Sequence, residues 1–218
     1  MLIWNKRGTF MSFQFTAPPQ TIGALPLAQI LRLVPGRTHE LCGPARRVLA
    51  AWVMAQAPIG APVIWICPSW KGDRLHPQAL CDWASPEGLI MLETARDAET
   101  LSCAEEALRS GAVTLVVMEL ANPLALTPLR RLHLAAEAGL ERRRTRARDS
   151  TVLGLVLTPE NGGTAGVESR WHLAPRAASQ PPHSALVRPA WILQRLRARM
   201  EPPASWHIDS GLQAYRIT

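Results

Sequence analysis

Apolar positions along this chain switch repeatedly between a helical and a continuous period. In ALPLAQILRLVPG, Leu27, Ile30, Leu31 and Val34 fall at i, i+3, i+4 and i+7, which predicts a short amphipathic helix closed by Pro35 and Gly36. Pro44 opens a second helix carrying Val48, Trp52 and Ala55, with Pro58 and Gly60 beyond its end. PVIWIC (62–67) and LIMLE (89–93) are apolar runs of strand length, and HPQALCDWA between them suits a short helix. DAETLSCAEEALRSG then sets Leu101, Ala104 and Leu108 on one helical face and stops at Gly111. VTLVVMEL reads as a third buried strand. Thr127 caps the next helix, Pro128 occupies its first turn, and Leu129, Leu132 and Ala136 share a face until Gly139. STVLGLVLT reads as a fourth strand. Strands apolar on both faces and alternating with helices predict an α/β domain, a mainly parallel sheet flanked by helices on both sides.

The last third of the chain reads differently. SRWHLAP, PAWILQRLRAR and SWHID are separated by proline-rich loops instead of helical spacers, which predicts antiparallel C-terminal edge strands. RAASQPP, with Pro181 and Pro182, reads as an exposed loop. NGGTAG (161–166) follows a strand without opening a helix, so it reads as a mobile loop and not as a phosphate cradle. The expected organisation is an N-terminal extension with a short helix (1–35), a core domain (36–209) and a C-terminal tail (210–218). Met1 and Met11 are both candidate starts.

Composition narrows the function classes. A chain of 218 residues that is 47% hydrophobic suits one domain. No apolar run reaches the roughly 20 residues a membrane helix needs, and the N-terminus lacks a signal-peptide pattern, so a cytoplasmic protein without a membrane partner is expected. Cys42, Cys67, Cys81 and Cys103 show no C-x-x-C spacing and read as core thiols. The histidines stand at no metal-ligand spacing, although His172 and His207 could be neighbours in the terminal strands; no metal and no cofactor are expected. Trp52, Trp65, Trp83, Trp171 and Trp191 sit in apolar segments and read as packing anchors. The net charge of +7 comes almost entirely from arginine, which favours an anionic partner. ERRRTRAR concentrates it: Arg142, Arg143, Arg144, Arg146 and Arg148 could contact several phosphates of single-stranded DNA, or simply suit a helix C-terminus.

One stretch begins like a phosphate-binding loop. In THELCGPARRVLAAW, Gly43 and Pro44 start the loop correctly, but Val48, Leu49 and Ala50 occupy the second glycine, lysine and hydroxyl positions of G-x-x-x-x-G-K-[ST]. Arg46 and Arg47 remain as candidate phosphate contacts. VTLVVMEL ends in Glu119, where a Walker B carboxylate would stand, and the strand before CPSWKGD offers no water-activating glutamate, only Lys71 and Asp73 in a turn. The frame of an ATPase is present without its chemistry.

At these residues the chain resembles the ImuA family, RecA-fold accessory proteins of bacterial SOS mutagenesis. The resemblance is carried by ARDAETLSCAEEALRSGAVTLVVMELANPLALTPLRRLHLAAEAG, with Glu105, Glu106, Leu108, Arg109, Arg130, Arg131, Leu132, Ala135, Ala136 and Glu137, and it extends collinearly from THELCG to SWHI. It implies a RecA-like core and a non-enzymatic adaptor. Its implied partners are an ImuB-like inactive Y-family polymerase homologue and an error-prone polymerase of the replicative α-subunit type, met directly or through ImuB. Contact with RecA, contact with single-stranded DNA and association with the nucleoid during DNA damage are left open. Three other classes stay open beside it: a SulA-like cell-division inhibitor that binds a tubulin-like protein, a single-stranded DNA-binding RecA-like module and, disfavoured by the missing lysine, hydroxyl and water-activating carboxylate, a residual ATPase.

Overall fold

The computed structural model describes residues 25–145, 151–176 and 190–217, together with the backbone of 3–4 and 10–11. Two short strands, β1 (Ile3–Trp4) and β2 (Phe10–Met11), pair with each other. The chain then runs β3 (Leu25–Pro26), α1 (Leu27–Leu31), β4 (Thr38–Cys42), α2 (Arg46–Met54), β5 (Val63–Pro68), α3 (Pro77–Leu80), β6 (Leu89–Thr94) and α4 (Asp97–Ser110). It continues with β7 (Leu115–Glu119), α5 (Leu126–Arg144), β8 (Leu153–Leu157), β9 (Ser169–Arg176), β10 (Ala190–Ala198), β11 (Ala204–Ile208) and β12 (Gln213–Arg216). Ten of these strands form one mixed sheet in the order β3-β12-β11-β10-β9-β4-β8-β7-β5-β6.

The sheet has two halves that meet at β9. From β9 to β6 every pairing is parallel, and from β9 to β3 every pairing is antiparallel. The α/β expectation, a large sheet flanked by helices, therefore holds, and β9, β10 and β11 come from the segments that predicted antiparallel strands, while β3 and β12 come from outside them. Side chains on one face of the sheet pack with α1, α2 and α3 in a cluster containing Leu49, Trp52, Trp65, Leu155, Trp171 and Leu193. On the other face of the parallel half, α4 and α5 enclose Ile66, Val116, Met118 and Val156. Burial in β9 and β10 alternates between core and part-exposed positions, because among the described residues no helix covers the second face there. Trp52, Trp83 and Trp191 meet edge to face, with centroids 4.9 to 5.8 Å apart, and tie α2 to β10.

Several local readings are corrected. Val34 is exposed, because α1 stops at Leu31. The last strand of the parallel half, β6, is not buried: it lies at the sheet edge with Ile90, Met91 and Leu92 exposed, and an apolar run does not reveal sheet position. Ala125, and not Thr127, occupies the N-cap of α5, and the helix passes Gly139 to reach Arg144. Gly139 serves packing instead of termination: a β-carbon there would collide with the Leu108 carbonyl oxygen of α4, so glycine lets the two helices touch through their backbones. Cys81 is exposed just past the end of α3, and Cys103 is only partly buried. His172 and His207 are separated by β10. Residues read as a tail supply β12, which pairs with β11 and β3 and buries Ala214. Apart from Arg176, which ends β9, RAASQPP lies outside the described residues.

Candidate functional site

At the carboxyl end of the parallel strands, β4 turns into α2 through Gly43, Pro44 and Ala45. Gly43 has φ +87°, and a β-carbon there would fall 2.6 Å from the Leu173 carbonyl oxygen and 2.7 Å from the His172 ring, so only glycine fits this approach to β9. The backbone groups of the turn are already in use. Ala45 N–H donates to Leu173 O at 3.0 Å, and Arg46 donates to Gly43 O from both its backbone (3.3 Å) and its guanidinium (3.0 Å). Pro44 is exposed. Leu49 and Ala50, at the lysine and hydroxyl positions of a phosphate loop, are fully buried in the core, and Val48 packs against it.

Arg47 and Glu119, separated by 72 residues in sequence, form a bidentate ion pair, Nε to Oε1 and Nη2 to Oε2, both at 2.9 Å. Trp65 Nε1–H donates to Glu119 Oε1 at 3.0 Å, and Lys71 Nζ lies 3.7 Å from Oε2. Arg47 Nη1 also meets Asp73 Oδ1 at 2.9 Å, and Nη2 donates to the Asp73 carbonyl at 2.6 Å. Burial alone would lower the Arg47 pKa; the bond to Glu119 and the charges of Glu119 and Asp73 outweigh it and raise it. Two cations therefore face two carboxylates, and Glu119 is 1% exposed. A basic residue in the first turn of α2 opposes the helix dipole, and Glu119 offsets that cost. Arg47, Lys71 and Asp73 thus surround the buried Glu119 with compensating protein charge.

A second buried carboxylate escaped sequence reasoning. Glu40, on β4, accepts hydrogen bonds from Arg170 Nε, Thr158 Oγ1 (2.8 Å), Thr164 Oγ1 (2.7 Å) and the backbone N–H groups of Gly163 (3.0 Å) and Thr164 (3.1 Å). Desolvation pushes its pKa up, but the bonds from Arg170, Thr164 and Thr158 prevail and hold it below the ordinary value. The NGGTAG loop, read as mobile, is fastened to the sheet through this carboxylate. The signal was a charged residue inside a strand whose five positions are all buried.

The arginine run lies apart from the Gly43 turn. Arg142 Nη1 donates to Arg109 O at 2.7 Å, and Arg143 Nη1 donates to Gly111 O (3.3 Å) and Ala112 O (3.1 Å), so both cover carbonyls at the end of α4. Arg144 is exposed, while Arg146 and Arg148 lie outside the described residues. Among the described residues no group of three or more His, Cys, Asp or Glu is placed to hold a metal, and no helix is long and apolar enough to cross a membrane.

No protein-family model matches the chain. It is similar to Protein ImuA of two strains of Caulobacter vibrioides, each 31% identical over 196 residues, which cover 86% of this chain and 69% of the relative. A likeness to the crystal structure of SulA from Pseudomonas aeruginosa covers 56% of this chain and 98% of that one, at 18% identity and a TM-score of 0.44, too low to carry an argument. With that identity over most of both sequences, the chain belongs to the ImuA family.

Proposed function

We propose that this protein is a non-catalytic, RecA-like accessory factor of SOS-induced lesion bypass, which docks an ImuB-like polymerase homologue and assists an error-prone polymerase without a nucleotide cycle. Family membership supports the setting. The observation that carries the nucleotide-independent part is the Arg47–Glu119 pair, because it satisfies the acidic group that would otherwise call for magnesium. Binding Mg–ATP there would require breaking a buried, bidentate bond and refilling the lysine position from the core. On this reading Gly43, Pro44, Arg46 and Arg47 shape a closed turn, and Arg144 with its neighbours adds to affinity for nucleic acid near the nucleoid.

The test is capture of a purified ImuB-like partner by the full chain, with and without Mg–ATP, alongside calorimetry with Mg–ATP alone. Equal capture in both conditions and no micromolar nucleotide binding are expected. Absence of capture at micromolar concentration would overturn the docking role in favour of the cell-division-inhibitor alternative. Micromolar binding of Mg–ATP at one site would overturn the nucleotide-independent part.

A further inference from the structure

On the α5 side of the sheet, where helical cover ends and the open face of β9 and β10 begins, lies a cleft of about 470 Å³. Arg130, His133, Leu134 and Glu137 line it from one stripe of α5, at the i, i+3, i+4 and i+7 spacing. Arg37 enters from just before β4, Glu168 from just before β9, and Arg197 and Arg199 from the end of β10. Four guanidinium groups thus face two carboxylates. Arg37 answers Glu137 and lies 3.8 Å from Glu168, and Arg199 reaches Glu168 only at 4.0 Å. Arg130 and Arg197 are exposed and have no hydrogen-bond or ion-pair partner among the described residues.

Two further observations point to an acceptor that the described residues do not supply. First, β10 carries a bulge between Arg195 and Arg197. Without it the two residues would share a face, since strand side chains alternate. With it Arg195 stays in the core over Trp171 and Trp206, while Arg197 pairs with Arg170 on the face of Glu40 and the cleft. An extra residue in a strand that turns a side chain toward a cleft is a recurrent feature of binding sites. Second, His133 Nδ1 accepts the Thr38 backbone N–H at 3.4 Å, which leaves the proton of the neutral ring on Nε2. That Nε2 is buried without a partner among the described residues. A buried donor beside unneutralised guanidinium groups calls for an oxyanion.

We propose that this cleft binds the phosphate groups of a single-stranded nucleic acid backbone, at a site separate from the Gly43 turn and from Arg142 and Arg143. A polynucleotide is favoured over a free anion because the exposed arginines do not end at the cleft. Arg144, exposed, lies on the same side of α5 two heptads beyond Arg130, about 21 Å along the axis. Between them on that stripe lie Glu137, which Arg37 answers, and Glu141, which has no ion-pair partner among the described residues. An open trough lined this way suits a chain of phosphates passing through.

The experiment is fluorescence anisotropy of labelled oligothymidine with the full-length protein across a salt series. The double variant Arg130→Ser/Arg197→Ser should bind about tenfold more weakly, with the log–log salt slope reduced by about 1.4 for two lost contacts. A charge-matched control, Arg96→Ser/Arg216→Ser, should lose far less. His133→Ala reports the buried donor and should weaken binding with little change in salt slope. Retention of wild-type affinity and slope by the double variant would overturn the proposal, as would an equal loss in the control or no oligonucleotide binding by the wild type. Saturable binding of inorganic phosphate with no binding of oligonucleotide would overturn the polynucleotide assignment. The docking reading is independent, since partner capture can fail or succeed whatever this assay returns.

Discussion

The two charged regions of this molecule solve opposite problems. In the turn after β4, Arg47 and Lys71 face Glu119 and Asp73, and the buried carboxylate is fully bonded. In the cleft beside α5, arginines outnumber carboxylates, and a histidine donor has no partner among the described residues. Internal neutrality makes the first region a structural element, and surplus positive charge leaves the second available for a ligand. The position where sequence motifs look for function is thus the electrostatically closed one.

Stability measurements should separate the regions most sharply at Arg47. Arg47→Ala leaves Glu119 buried with, among the described residues, only Trp65 within hydrogen-bond distance, and should cost about 3–5 kcal/mol of unfolding free energy in urea denaturation. The double replacement Arg47→Met/Glu119→Gln should recover most of that loss, because it removes the stranded charge. A loss below about 1 kcal/mol for Arg47→Ala would mean that Lys71, now 3.7 Å away, takes over the carboxylate, and would weaken the contrast.

Proton uptake gives a second, comparable handle at the amino end of β4. His39 is 1% exposed, bonds Ser169 Oγ through Nδ1 at 2.7 Å, and has its pKa lowered from 6.5 to about 4, chiefly by desolvation. Between these values the unfolded chain takes up a proton that the folded chain refuses. Stability should therefore fall as pH drops from about 6.5 toward 4, by about 3 kcal/mol from this group. Melting temperature against pH for wild type and His39→Gln checks it: the variant should be less stable near neutrality but flatter through that window. Parallel curves would relocate the acid sensitivity to other groups.

The smallest expected effect belongs to the cleft. Arg130→Ser/Arg197→Ser should change unfolding free energy by no more than about 0.5 kcal/mol, because both side chains are exposed and bond nothing among the described residues. A large loss in denaturation would mean that these arginines hold the fold, and the contrast between a closed and an open region would collapse.

Local periodicity carried most of the element order, because helix and strand signals depend on neighbours within a few residues. It located Gly43, Arg47 and Glu119 individually, yet not the bond between Arg47 and Glu119, which depends on β4, β5 and β7 lying in one sheet. Long-range register also decided that β6 stands at an edge and that His172 and His207 do not meet. Gly139 misled because a glycine that ends a helix and one that lets two helices touch are the same letter. The cleft was invisible for a similar reason: in PAWILQRLRAR the alternation puts Arg195 and Arg197 on one side, and only the bulge separates them.

The central strand has a consequence for how the chain reaches this state. β4 pairs with β8 and β9, so Thr38 waits for Gly154 and Cys42 for His172. During synthesis the strand leaves the ribosome more than a hundred residues before either neighbour exists. Its loop-closure entropy must be met before any sheet pairing rewards it, which predicts slow folding limited by topology. Until then the apolar faces of α2 and β5 stay exposed to other chains, so yield from refolding should depend steeply on protein concentration.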